Sequence, residues 1–281
     1  MPLQHDPEYT AQHYDRYAEQ EWDRHDATWA ARTSFAIHCR YLAEFVAAGD
    51  AVLDAGAGPG RFTIKLAKLG ARVQVVELSP VQLRLNSARV QAAGWEDAVD
   101  RRVLADICDL SAFADDAFDT VVAFGGPLSY VMDRAELALG ELCRVTRPGG
   151  HVLLSVMSSA GAVRAFLPSL LDEGRTFGSD HGDNIVRTGD LARATNNGHE
   201  CHMYRWSELS ELLGRHGEII GASAANFITA RDDDALNAAS DAEREQILRW
   251  EIELCREPGA LDGGTHILAV LKIPTAAHGA P

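Results

Sequence analysis

Val52-Leu53-Asp54-Ala55-Gly56-Ala57-Gly58-Pro59-Gly60 sets three glycines at alternate positions directly after an apolar run. A helix-forming stretch, Phe62 to Leu69, follows at once. The pattern predicts a buried strand, a tight turn and a helix, the arrangement that receives nucleotide-like ligands at the carboxyl end of a strand. Glycine is needed where the backbone turns sharply or lies against a ligand with no Cβ between them. Spacing then separates the ligand classes. A dinucleotide fingerprint requires Gly-x-Gly-x-x-Gly, whose third glycine would fall at Arg61. A phosphate-binding loop requires Gly-Lys-Ser/Thr after four spacers, which is absent. What is left is Asp-x-Gly-x-Gly-x-Gly.

Further strands arrive in order. Val73-Gln74-Val75-Val76-Glu77 is apolar and ends in an acid 19 residues beyond Gly58. A carboxylate at that strand tip can accept both hydroxyls of a ribose. Arg102 to Ile107 is a short strand ending at Asp106, and Phe118 to Gly126 a fourth strand running into a loop. Leu142 to Leu154 reads as a helix, a Pro148-Gly149-Gly150 turn and a fifth strand. Together these motifs resemble the core of the class I S-adenosyl-L-methionine (SAM) dependent methyltransferases over residues 50 to 157. The likeness is to the small-molecule branch that includes ubiquinone- and menaquinone-biosynthesis methyltransferases.

The resemblance implies an α/β fold: a Rossmann-like, seven-stranded, mostly parallel sheet with a reversed last strand and helices on both faces. It implies SAM as cofactor and S-adenosyl-L-homocysteine as product. Asp54, Gly56, Gly58 and Gly60 are then expected at the amino-acid end and Glu77 at the ribose, with Leu78 also binding the cofactor. Asp106 is expected to take the adenine amino group, Ile107 to pack on the ring and Phe124 to line the site. The resemblance also implies that an N-terminal element caps the cofactor. Tyr14 and Tyr17, three apart on one helical face, are candidates for it or for plain anchoring to the sheet.

Composition narrows the partners. A chain of 281 residues can bury one large core with an inserted lid. The formal charge of -15 opposes binding to a phosphate backbone, so a small-molecule acceptor is expected and a nucleic acid is not. No apolar run approaches membrane-spanning length, no signal peptide is visible, and five scattered cysteines suit a reducing cytoplasm. Monomer and homodimer both stay open.

Four segments are expected: a helical cap at 1–48, the SAM-binding core at 49–157, an inserted lid at 158–203 and the rest of the sheet at 204–281. Phe35 to Ala48 is expected to be helical, and so is Pro80 to Ala93, with Leu83, Leu85, Ala88 and Val90 as its apolar face. In the lid, Ala162 to Leu171 reads as helix and Gly174 to His202 as a polar loop forming one wall of an acceptor pocket. Glu218 to Ile228 and Thr265 to Ile273 read as strands, with a charged helix over 241–256 between them.

Methyl transfer from a sulfonium needs donor and acceptor held in line, and a base is optional. His199 and His202 are the candidate bases, with His181 on the same lid and His151 structural. Gly198-His199-Glu200-Cys201-His202 offers three metal-ligand side chains, but its spacing matches no zinc motif, so no metal is expected. The methyl acceptor is expected to be an oxygen or nitrogen. The alternatives are a C-methyltransferase, a SAM-binding protein without catalysis and, last, an NAD-dependent oxidoreductase.

Overall fold

A computed structural model describes residues 3–193, 198–231 and 233–275. Five strands carry the core: β1 Ala51–Ala55, β2 Arg72–Glu77, β3 Val99–Leu104, β4 Phe118–Ala123 and β5 Thr146–Met157. Two short strands, β6 Asp190–Leu191 and β7 Cys201–His202, pair with each other outside the main sheet. β8 Glu218–Ala224 and β9 His266–Lys272 complete the sheet, in the order β3-β2-β1-β4-β5-β9-β8. All neighbours run parallel except where β9 lies antiparallel to both β5 and β8. The reversed strand is therefore the last in sequence, one place in from the edge.

Alternation along the strands divides the apolar residues between two layers. Val52, Val122, Leu153, Leu268 and Val270 face Ile37, Tyr41 and Leu42 of the helix Trp29–Phe45 and Phe62 and Leu66 of the helix Arg61–Lys68. Leu53, Val121, Leu154, Ala269 and Leu271 face Leu139 and Leu142 of the helix Ala135–Val145 and Leu209 and Leu213 of the helix Trp206–Gly214. Each fully buried leucine contributes about 1.5–3 kcal/mol of transfer free energy. β1 pairs with β2 on one side and β4 on the other, so the chain leaves the two central strands in opposite directions. A crevice opens there, at the carboxyl ends of β1 and β4.

Several expectations needed correction. The helix Pro80–Ala92 buries Gln82, Asn86 and Val90, while Ala88 is exposed. Its inner face is polar because it bonds to other segments: Gln82 Nε2 donates to the carbonyls of Tyr14 and Ala18, and Asn86 Nδ2 to Thr63 Oγ1. The first helix of the sheet layer starts at Trp29 rather than Phe35, capped by Thr28, whose hydroxyl accepts from the Ala31 N–H. Gly174 to His202, expected to form a polar loop, instead ends the helix Leu167–Phe177 and forms the helix Asp180–Thr188 and the β6–β7 ribbon. The 194–197 part of that expected loop lies outside the described residues, as do Met1, Pro2 and 276–281 at the ends of the expected cap and last segment. β8 stops at Ala224, where the chain turns to present the Phe227, Ile228 and Thr229 N–H groups to the buried carboxylate of Glu251. Among the described residues no helix is long and apolar enough to cross a membrane.

Candidate functional site

The glycine turn sits at the mouth of β1. Gly56, Gly58 and Gly60 all take positive φ, at 72°, 53° and 96°. A Cβ on Gly56 would lie 2.5 Å from Pro127 Cγ, so that position is closed to any larger residue. Gly58 instead faces open space, bounded by Glu21 Cγ at 3.8 Å. Gly60 packs on Asn86 and starts the helix Arg61–Lys68, away from the cavity.

A cavity lies over this turn. Gly56, Gly58, Glu77, Leu78, Asp106, Ile107, Phe124 and Tyr14 all line it. Glu77 ends β2 and accepts the Gly58 N–H at Oε2 and the Ser79 N–H at Oε1, both at 2.8 Å. Burial pushes its carboxyl up to about 6, against the backbone N–H groups that hold it down. Each carboxylate oxygen keeps a further lone pair for a ligand hydroxyl. Asp106 lies beyond the end of β3, its Oδ1 accepting the Cys108 N–H. Asp54 does not reach this cavity: it is 1% exposed and its Oδ2 accepts from Thr63 Oγ1 at 2.6 Å. Burial, with Glu77 nearby, pushes it up to about 7 despite that hydrogen bond.

Sequence reasoning missed three side chains here, His5, Glu21 and Arg24. They come from the N-terminal segment, and nothing in their local pattern marks them. Arg24 Nε donates to Glu21 Oε1 at 2.5 Å, and the pair stands over Gly58 and Gly125. Arg24 lines the cavity and keeps 31% of its side chain accessible.

A second cavity of about 680 Å³ adjoins the first, and Tyr14, Glu21, Arg24, Gly125 and Tyr130 line both. Its far wall is apolar, built from Ala162, Val163, Phe166, Leu170, Ile185 and Met203. Tyr17 and His199 line this second cavity. His199 Nε2 lies 3.2 Å from Tyr130 Oη, and its ring meets His13 edge-on. Burial, with His13 and Arg24 adding to it, lowers its pKa to about 4 and leaves it neutral.

His202 belongs elsewhere. Its Nδ1 lies 2.7 Å from Asp190 Oδ1 and its Nε2 2.8 Å from Glu208 Oε1, beside a separate surface hollow. Both partners are acceptors, so the ring is held as an imidazolium with no lone pair to offer. Alternation in β7 accounts for the difference, because the Cys201–Met203 face is the one turned inward.

Residues 52–150 match the family model described as a methyltransferase domain. Those residues are a methyltransferase domain of the class I SAM-dependent kind. The demethylmenaquinone methyltransferase of Mycobacterium marinum is 37% identical over 135 residues, which make up 48% of this chain and 50% of that protein. The ubiquinone biosynthesis O-methyltransferase of Xanthomonas oryzae pv. oryzae is 29% identical over 152 residues, 52% of this chain and 60% of that one. The chain thus spans about half the length of the curated relatives it matches. The Burkholderia thailandensis 1,6-didemethyltoxoflavin-N1-methyltransferase shares the fold at a TM-score of 0.58 and 20% identity, covering 98% of this chain and 92% of its own. The residues of the methyltransferase core fit the cofactor. A side-chain-free stretch at Gly58, a carboxylate at Glu77 and a second at Asp106 face one continuous space.

Proposed function

We propose that this protein transfers a methyl group from SAM to an oxygen or nitrogen atom of a small, largely apolar metabolite. The joining of the two cavities at Tyr14, Glu21, Arg24, Gly125 and Tyr130 carries the reading. A donor held over the glycine turn and an acceptor held under the lid would meet only at that wall.

When bound, SAM supplies a methyl group already activated by a sulfonium. The chain's own residues bind, orient and exclude water. Glu77 receives the ribose hydroxyls through its remaining lone pairs, and Asp106 the adenine amino group, with Leu78 and Ile107 against the ring. Gly56 and Gly58 let backbone approach the amino-acid end. There Glu21 and Arg24 match the ammonium and carboxylate of the methionyl group, the work first expected of Asp54. Tyr14 covers the cofactor, while Tyr17 faces the acceptor.

On the acceptor side, His199 accepts the proton that an oxygen or amine nucleophile gives up. Proximity does most of the remaining work, since holding two reactants in line supplies roughly 7–11 kcal/mol. The apolar wall and the -15 charge favour an uncharged small molecule over a nucleic acid.

Two measurements test the reading. Calorimetry with S-adenosylhomocysteine is expected to give one site per chain, and methyl-labelled SAM to label a component of a small-molecule extract. A folded protein that binds no S-adenosylhomocysteine would overturn the proposal.

A further inference from the structure

The covers of the two cavities are tied together around Arg193 and Tyr9. Arg193 follows β6 on the lid side, and its guanidinium lies 3.7 Å above the Tyr9 ring. Its Nη2 donates to Asp6 Oδ2 at 2.7 Å and its Nε to Glu200 Oε2 at 2.8 Å. Tyr9 Oη reaches the same lid segment directly, donating to the Gly198 carbonyl at 2.6 Å. Asp6 in turn caps the helix Pro7–Tyr17, its Oδ1 accepting the Tyr9 N–H. Three residues of that helix, Thr10, Ala11 and Tyr14, form the roof of the first cavity. The lid segment that Arg193 grips carries His199 into the second.

We infer that Arg193 is a positioning residue that straps the N-terminal roof to the acceptor lid, so that cofactor exchange and lid opening are a single event. The inference rests on the cofactor reading above. A ligand touching both Gly58 and Asp106 shares its cavity with Thr10, Ala11 and Tyr14 of the helix Pro7–Tyr17, so lifting that helix widens its way out. The helix buries no residue fully; its other ties are the edge-on rings of Tyr14 on Tyr130 and His13 on His199, the Gln82 amide to its last turn, and Asp15, whose carboxylate accepts from Ser79 Oγ and the Val81 N–H. The Arg193 contacts add to these a charged link from the roof to the lid. Tyr9 Oη, beneath the same guanidinium, holds the carbonyl of Gly198, at φ 66°, immediately ahead of His199.

The chemistry of the strap gives it a signature. Arg193 keeps 44% of its side chain accessible, as Asp6 keeps 40%, so salt should weaken the pair. Stacking of a planar guanidinium on a ring is a property that lysine does not reproduce.

The experiment measures the dissociation rate of tritiated S-adenosylhomocysteine together with amide exchange. Arg193→Ala is expected to release the ligand about tenfold faster, from the loss of one stacked and two charged contacts. Raising salt to about 1 M, where the screening length is about 3 Å, should speed release from the wild type and barely change the variant. Arg193→Lys should recover only part of the difference, and Tyr9→Phe should fall between wild type and Arg193→Ala. In the unliganded protein, amides of 7–17 and of 198–203 should gain exchange together in Arg193→Ala. An unchanged release rate, an equal salt response in both proteins, or faster exchange in only one segment would overturn the strap. Absence of S-adenosylhomocysteine binding by the wild type would instead overturn the cofactor reading, and paired exchange would still decide the strap. Should Arg193→Ala lower the melting temperature of the whole chain, the Tyr9→Phe and salt measurements decide.

Discussion

His5 Nε2 lies 2.5 Å from Asp106 Oδ2, the carboxylate assigned above to the adenine amino group. The other ring nitrogen, Nδ1, faces the Tyr130 carbonyl at 3.3 Å, and the His5 backbone N–H donates to Asp133. The N-terminal segment is therefore fastened at its start to the core and, through Asp6 and Arg193, to the lid.

Both ring nitrogens of His5 face acceptors, so the geometry requires an imidazolium. Burial alone would lower its pKa, but the hydrogen bond and charge of Asp106, with Tyr130 and Asp133, outweigh that and raise it. Asp106 is lowered in return, its own burial outweighed by His5 and the Cys108 N–H. A raised histidine contributes stability that is fully present below its ordinary value of 6.5 and is lost as pH rises through the folded value. The expected outcome is a His5 NMR titration midpoint above 6.5, returning toward or below it in Asp106→Asn. A midpoint below 6.5 in the wild type would show that the latch does not form.

Glu77 carries the strongest expectation about the cofactor. Hydrogen bonds to a charged group contribute about 1.5–3 kcal/mol each, so Glu77→Ala should weaken S-adenosylhomocysteine by at least about tenfold. The wild-type affinity should also fall as pH drops through about 6, because the carboxyl that receives the diol becomes protonated there. Calorimetry across pH 5 to 8 checks both. A flat pH profile together with unchanged affinity in a folded variant would remove Glu77 from the ribose.

Asp54 is expected to act on stability rather than binding. Its carboxyl, pushed up to about 7, prefers the neutral form in the folded state. The sign follows: the stability it contributes is present below its ordinary value of 3.8 and is lost as pH rises through about 7. Asp54→Asn should therefore flatten the decline in melting temperature between pH 5 and pH 8, with S-adenosylhomocysteine affinity changing less than about threefold. Thr63→Val removes the hydroxyl that bonds Asp54 and should cost about 1–3 kcal/mol. A large loss of affinity in Asp54→Asn at unchanged stability would return this residue to the binding site.

Local rules made the sheet and half of the site legible. The glycine turn, Glu77 and Asp106 each follow a strand end, and strand ends are written in consecutive residues. His5, Glu21 and Arg24 reach the same cavity from a segment that precedes β1, and no short-range pattern encodes that return. The lid helix Asp180–Thr188 was invisible for another reason. In Asp180–Thr188 only Ile185 is buried, too little to raise an apolar period above the polar background. The inner face of Pro80–Ala92 misled in the opposite sense, because Gln82 and Asn86 are buried to bond backbone and side-chain groups of other segments.

The two histidines singled out from one short run now separate cleanly. His202, fixed as an imidazolium between Asp190 and Glu208, has its natural charge partners on β6 and on the helix Trp206–Gly214. His202→Ala should lower the melting temperature and leave turnover near the wild-type value. His199 is neutral, partly enclosed with Tyr130 and His13, and lines the acceptor cavity. A nitrogen lowered to about 4 is a weak base in the ground state. The acceptor's proton becomes acidic only as its oxygen or nitrogen begins to form the new bond, so the transfer comes late and a weak base suffices. General-base help is worth about a hundredfold to ten-thousandfold, and His199→Ala should cost turnover on the lower side of that range with S-adenosylhomocysteine affinity intact. The acid limb that His199 contributes should lie near pH 4, leaving turnover free of its titration between pH 6 and pH 8. Assays with any acceptor that the labelling screen yields can measure both variants side by side. Wild-type turnover in His199→Ala would leave the reaction to proximity alone and point to an acceptor that arrives already deprotonated.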